Sequence, residues 1–289
     1  MRPSDRTVWT VETAARAGAR QLDSVAEEPR LEAQVLLAES LGVPRTWLQA
    51  HPEDELGEAI CADFFQRLAR REAGVPLPHI LGWWEFHSRR FRVTPDVLIP
   101  RPETEILVER GLSWLQRHAA SGRVLDVGTG SGCIAVTLAA SVPACRVIAT
   151  DLSPAALHVA RHNCAQHQVE RRVALAQADL ACGLSGRFDL ICANLPYIPN
   201  AELHRWEVSR WEPRLALDGG TNGTEAIRRL LPSLAYLLSA EGIALLEIGA
   251  GQAAEMFGII ESALPGWRAG TIPDLAGIPR VIELSRVNG

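Results

Sequence analysis

The sequence predicts an α/β protein: a mostly parallel, doubly wound sheet preceded by a small helical bundle. Three observations carry this expectation. The N-terminal part holds its apolar residues at helical spacing only. From Val124 onward, short apolar runs alternate with longer amphipathic ones, the pattern of strand–helix repeats. Between the first run and the first helix lies "VGTGSG", and such sheets bind ligands beyond the carboxyl ends of their strands. The chain therefore divides into a helical domain over 1–78, a β-hairpin linker over 79–102 and a sheet domain over 103–289.

In the helical domain, Val11, Ala14, Ala15, Gly18 and Leu22 form one stripe, and Leu31, Val35, Ala38 and Leu41 a second that stops at Gly42. Ile60, Phe64 and Leu68 form a third, which leaves Arg67, Arg70 and Arg71 for the wet side. The stretch "WWEFHSRRFRV" has β-favouring pieces split by charge, hence the hairpin. "ETEILVERGLSWLQRHAA" then reads as a helix. Six strands follow: "RVLDVG", "CRVIATD", "RVALAQAD", "FDLICAN", "GIALLEIG" and "PRVIELSR". Helices separate them, among them "SPAALHVARHNCAQH" with Ser153 as N-cap and Pro154 at the first helical position.

Composition excludes several chemistries. The chain has 289 residues and a net charge of −5, so no broad cationic surface is expected to hold nucleic acid without regard to sequence. All 29 basic side chains are arginine. No lysine is present for a Schiff base or a P-loop. The six cysteines form no C-x-x-C pair and read as reduced thiols of a cytosolic protein. The opening "MRPSDRTVWT" has no apolar core, and no 18-residue apolar run occurs, so neither signal peptide nor membrane span is expected.

The glycine turn is the strongest local signal. Gly128, Gly130 and Gly132, with Thr129 and Ser131 between them, sit where the backbone must turn tightly beside a ligand. The dinucleotide pattern would need glycine at Cys133, so the G-x-G-x-G spacing suits S-adenosylmethionine better. Asp126, ending the first strand, faces the cofactor's ammonium group or orders the loop. Asp151, followed by Leu152, ends the second strand where an acid can accept both ribose hydroxyls. Asp179 ends the third and is placed for the adenine amino group, with Leu180 beside the ring.

The fourth strand ends in "NLPY". Asn194 offers a carboxamide oxygen, and Leu195 a backbone carbonyl whose peptide Pro196 orients. Tyr197 supplies a flat face. Two acceptors and a plate suit a planar –NH2 group, whose delocalised lone pair needs positioning more than a strong base. The candidate residues include no metal-ligand set.

With these motifs in hand, the chain resembles the PrmC/HemK protein-(glutamine-N5) methyltransferases. The resemblance runs over "VTPDVLIPRPETEILVE", "LDVGTGSGCIAV", "FDLICANLPYI", "WEPRLALDGG", "LLEIG" and "DLAGIPRVIEL". It implies a Rossmann-like, class I S-adenosylmethionine-dependent methyltransferase sheet of seven strands. It implies that the substrate is the Gly-Gly-Gln glutamine of peptide chain release factors. From the cysteines and the charge, a cytoplasmic protein without stable nucleic-acid binding is expected, and a monomer is expected too. It places Gly128 to Gly132 and Asp151 on the cofactor, Asn194 to Tyr197 on the glutamine, and Arg101, Pro102, Glu103 and Thr104 at the pocket's lip. Arg101 could equally pair with Glu103 or Glu105. Glu212 and Arg214 are expected to brace the wall behind the loop. The family pattern is Asn-Pro-Pro-Tyr, and Leu195 stands for its first proline. "NLPY" also resembles the motif of ribosomal RNA adenine dimethyltransferases, so an adenine-N6 type substrate or another protein glutamine is the alternative.

Overall fold

The structure is a computed structural model that describes residues 8–118, 122–205 and 207–287. The end of the helix read through Ala119 and Ala120, and residues 1–7 of the opening stretch, lie outside them. Contacts divide the chain into two compact units, Met1–Gly82 and Trp83–Gly289.

The first unit is helical: α1 (Val11–Leu22), α2 (Pro29–Leu41), α3 (Arg45–Ala50), α4 (Glu58–Glu72) and α5 (Leu77–Leu81). Thr10 and Thr13 close a reciprocal cap at α1, each hydroxyl accepting the other's backbone N–H. Gly18 lets α1 and α4 approach, since a Cβ there would stand 2.9 Å from Phe64 Cζ. The stripe expected on α2 is displaced. Ala33, Leu36, Leu37 and Ala38 are buried, whereas Leu31, Val35 and Leu41 are only partly covered. The helix packs against both α1 and α4, so its buried face is set by two neighbours. Arg71 is not on the wet side either. Its Nε lies 2.6 Å from Glu32 Oε2 and its Nη2 donates to Val25 O, which ties α4 to α2. The short α3 and α5 carry too few turns to show a period.

The second unit opens with a hairpin, β1 (Trp83–Phe86) and β2 (Arg89–Arg92). Its turn residues His87 and Ser88 both take left-handed φ, 49° and 57°, which matches the twist of a tight hairpin. After α6 (Pro102–His118) come β3 (Arg123–Val127), α7 (Cys133–Ser141), β4 (Arg146–Asp151), α8 (Pro154–Gln166), β5 (Val173–Gln177) and β6 (Phe188–Ala193). Then follow α9 (Glu225–Leu237), β7 (Leu238–Glu247), α10 (Ala253–Ala263), β8 (Arg268–Pro273) and β9 (Pro279–Ser285). The sheet order is β5-β4-β3-β6-β7-β9-β8, parallel from β5 to β7, with β9 antiparallel to both its neighbours. This is the class I methyltransferase sheet. Its edge strand β8 was not among the six runs because most of it is exposed and carries no apolar run.

The chain runs outward from β3 to β5, then returns to β6 on the other side of β3. The carboxyl ends of β3 and β6 therefore adjoin, with Val127 in register with Ala193. Such a switch point opens a crevice. Asp126 knots the turn there. Its Oδ2 accepts the Thr129 hydroxyl at 2.6 Å and the Ala135 N–H at 3.2 Å, so it orders the loop. It is fully buried, and burial pushes its pKa up from 3.8 to about 7. Between those values the folded state holds a proton that the unfolded state has lost. Stability from this group thus falls as pH rises toward 7 and levels off above it. Asp126→Asn removes that dependence. Melting both proteins across pH should show the stability difference moving toward the variant by on the order of 1–2 kcal/mol between about pH 5 and 7. A pH-independent difference would contradict the assignment.

Candidate active site

A cavity of about 460 Å³ opens at the switch point, within the usual range for small-molecule sites. It is lined by the loop Gly128–Ser131, by Asp151, Leu152, Asp179, Leu180 and Thr104, and by Asn194, Leu195 and Pro196. Asp126, Gly132, Tyr197, Arg101 and Pro102 do not line it.

The loop follows from its glycines. Gly128, Gly130 and Gly132 all take left-handed φ, 73°, 56° and 83°. The N–H groups of Gly128 and Thr129 both donate to Thr150 O, at 2.9 and 2.8 Å. A Cβ on Gly128 would lie 2.9 Å from Leu195 Cδ2, whereas one on Gly130 would meet nothing within 4 Å.

Asp151 accepts the Gly130 N–H on one carboxylate oxygen (2.8 Å) and the Ser153 N–H on the other (2.9 Å). Each oxygen keeps acceptor capacity, because a carboxylate offers about four sites. Asp179 lies two residues past β5 and pairs with Arg229 Nη2 at 2.5 Å on the rim. Leu180 takes a left-handed φ of 54°, a strained choice for a leucine. The Thr150 hydroxyl holds its carbonyl at 2.9 Å.

The loop after β6 is pinned on every side. Asn194 Nδ2 donates to the Thr104 hydroxyl at 2.9 Å. Leu195 turns its side chain into the core against Gly128. The Ile198 N–H donates to Leu217 O, and the Gly219 N–H to Ile198 O. A Cβ on Gly219 would stand 2.8 Å from Tyr197 Cα, and one on Gly223 only 2.2 Å from Tyr197 O. Gln252 Nε2 donates to that same carbonyl at 3.0 Å. Burial raises the Tyr197 phenol to about 12, so it stays neutral.

Arg101 pairs with Glu212, at 2.6 Å, and not with Glu103 or Glu105. Burial raises the Glu212 pKa against the pull of that guanidinium. Arg214 pairs with Asp218 at 2.9 Å. Sequence reasoning did not place Pro95–Leu98, Asp218–Gly220, Glu225 and Arg229, which also line the cavity. Pro95–Leu98 and Asp218–Gly220 lie in loops without periodicity, and Glu225 and Arg229 fall on the first turns of α9. It also missed Glu247, at the end of β7, buried beside Thr104 and Asn194. Its only signal was a carboxylate closing an otherwise apolar strand, "LLEIG". Among the described residues no cluster of His, Cys, Asp or Glu could hold a metal, and no helix is long and apolar enough to cross a membrane.

The comparisons agree along the whole chain. The family model described as PrmC N-terminal domain matches residues 13–82, and the one described as Methyltransferase small domain matches 104–208. The release factor glutamine methyltransferase of Moorella thermoacetica is 44% identical over 88% of this chain and 90% of its own. That of Cereibacter sphaeroides is 41% identical over 98% of both chains. Among solved structures, the hMettl16 catalytic domain in complex with the MAT2A 3′UTR hairpin 6 overlays with a TM-score of 0.56 at 14% identity. That overlay covers 68% of this chain and 76% of that one, a likeness of fold alone. Identity at this level over nearly full length places the chain in the release factor glutamine methyltransferase family.

Proposed function

We propose that this protein transfers a methyl group from S-adenosylmethionine to the side-chain amide nitrogen of the glutamine in the Gly-Gly-Gln motif of peptide chain release factors. The observation that carries the reading is the Asn194–Tyr197 loop, anchored through Thr104 at the edge of a nucleoside-sized cavity.

The residues fit the cofactor. Gly130 leaves the cavity floor free of side chain, and Asp151 keeps acceptor sites for two hydroxyls. Leu152, half exposed, and Leu180 supply apolar walls for a base. Asp179 has Arg229 as partner, so it acts on the adenine amino group only alongside that pair. When bound, the sulfonium supplies an electrophilic methyl carbon.

The protein's own residues do the rest. Asn194 Oδ1 and the Leu195 carbonyl each accept a hydrogen bond from the substrate –NH2 and aim its nitrogen, and one of those two protons leaves to water once the nitrogen carries the methyl group. Tyr197 packs beside the amide plane as a neutral ring. Holding a poor nucleophile in line is mostly positioning and electrostatics, so no strong base is required. The N-terminal helical unit carries none of these groups, and we assign it the remote contacts that restrict the enzyme to intact protein. The net charge of −5 favours a protein over a nucleic-acid partner.

The direct test is incubation with cofactor and either release factor or RNA, followed by mass spectrometry. Methyl on the Gly-Gly-Gln glutamine supports the reading, and methyl on an RNA base overturns it. Two variants should separate binding from turnover. Asp151→Ala should weaken cofactor binding by about 1.5–3 kcal/mol in calorimetry, the value of charge-assisted hydrogen bonds. Asn194→Ala should leave that affinity within about twofold yet lower turnover by about 100-fold or more, as an interaction made only with the reacting group does. Unchanged affinity in the first, or unchanged turnover in the second, would remove that residue from its role.

A further inference from the structure

Asn194 can act as an acceptor only if its carboxamide presents oxygen, not nitrogen, to the substrate. A carboxamide is nearly symmetric in shape, so its hydrogen-bond partners decide which end faces out. Behind it lie two buried groups, Thr104 and Glu247, 2% and 1% exposed. Asn194 Nδ2 donates to Thr104 Oγ1 at 2.9 Å. The Glu247 carboxyl lies against both, close enough that each favours its charged form, and its Oε2 has no hydrogen-bond partner among the described residues.

We infer that Glu247 is a positioning residue that acts through Thr104 to fix which end of the Asn194 carboxamide faces the substrate amide. The inference rests on the proposed methyl transfer to a glutamine. An ionised carboxylate only accepts. With that unpartnered carboxylate beside it, the Thr104 hydroxyl turns its single proton to Glu247, and toward Asn194 it then only accepts, as it does at 2.9 Å. It therefore selects the –NH2 end of Asn194 and leaves Oδ1 for the substrate. A protonated Glu247 donates instead. The Thr104 proton is then free for Asn194 Oδ1, and a flipped amide offers the substrate a second –NH2, which repels it. The carboxylate form is thus the productive one.

The carboxyl is poised for this exchange. Burial raises its pKa from 4.5 to about 7; the neighbouring Thr104 and Asn194 oppose that, as does Arg280, while Glu103 reinforces it. Tyr197 and Cys133 also face it, and both are held neutral by burial. Turnover should therefore rise with pH through about 7. Asp126 titrates near the same pH under the glycine loop, so only variants at the network itself assign the inflection.

The test uses the full-length protein, S-adenosylmethionine and intact release factor, with kcat and KM measured across neutral pH and cofactor affinity measured by calorimetry. Glu247→Gln cannot ionise. It should lower kcat about tenfold or more at alkaline pH and abolish the inflection, with cofactor affinity held within about twofold. Thr104→Val should do the same, and Thr104→Ser should restore the inflection because the hydroxyl returns. The threonine pair decides the matter if Glu247→Gln does not fold. Wild-type kcat with its inflection intact in Glu247→Gln or Thr104→Val would overturn the inference. So would a loss of cofactor affinity in step with turnover, which marks a merely structural role. A wild-type enzyme inactive on release factor but active on another substrate would overturn the proposed function, and this inference with it.

Discussion

Everything at the switch point depends on how closely backbone can approach backbone there. The loop after β6 must lie between the glycine turn after β3 and the stretch Leu217–Gly223, and side chains would hold these apart. Gly128 admits Leu195 from one side, and Gly219 and Gly223 admit the Pro196–Tyr197 backbone from the other. Added Cβ atoms would stand 2.2 to 2.9 Å from the facing atoms, well inside contact distance. Small residues are thus concentrated at a few positions that no helical or strand period demands. They form a rigid seat in which the Asn194 side chain and the peptide after it are fixed before any substrate arrives.

Around this seat the protein buries acids without matching them all to cations. Asp126 and Glu247 are both pushed to about 7 by burial, and Glu212 is raised despite the Arg101 guanidinium beside it. Each leaves one oxygen without a partner among the described residues. Such groups cost stability, and they cluster at sites whose hydrogen-bond directions must be unambiguous. Asp126 fixes the glycine loop, Glu212 fixes Arg101, and Glu247 lies under the amide. The buried acids supply direction, and none of the charged groups that line the cavity, Asp96, Asp151, Asp179, Asp218, Glu225 and Arg229, is buried.

Much of this was legible in the residues. The strand-end acids, the glycine turn, the Ser153 cap and the Asn194–Tyr197 stretch carry local signatures that need no tertiary knowledge. What was hidden depends on partners distant in sequence. Arg101 meets Glu212, 111 residues away, not Glu103 or Glu105 on the helix that follows it. Arg71 meets Glu32, 39 residues away, because α2 and α4 pack. The buried face of α2 is decided by two helices at once, so a single stripe misplaces it. The edge strand β8 gives no apolar run, and Glu247 looks like an ordinary strand terminus until the fold brings Thr104 and Asn194 against it.

On the proposed function, Asn194 and Leu195 present two acceptors to one planar amide. A crystal structure of the full-length protein with release factor and S-adenosylhomocysteine tests it most directly. The glutamine side-chain nitrogen should then lie at about 3 Å from both Asn194 Oδ1 and the Leu195 carbonyl, normal hydrogen-bond distance. A glutamine whose oxygen faces Asn194, or whose amide lies away from this loop, would contradict it.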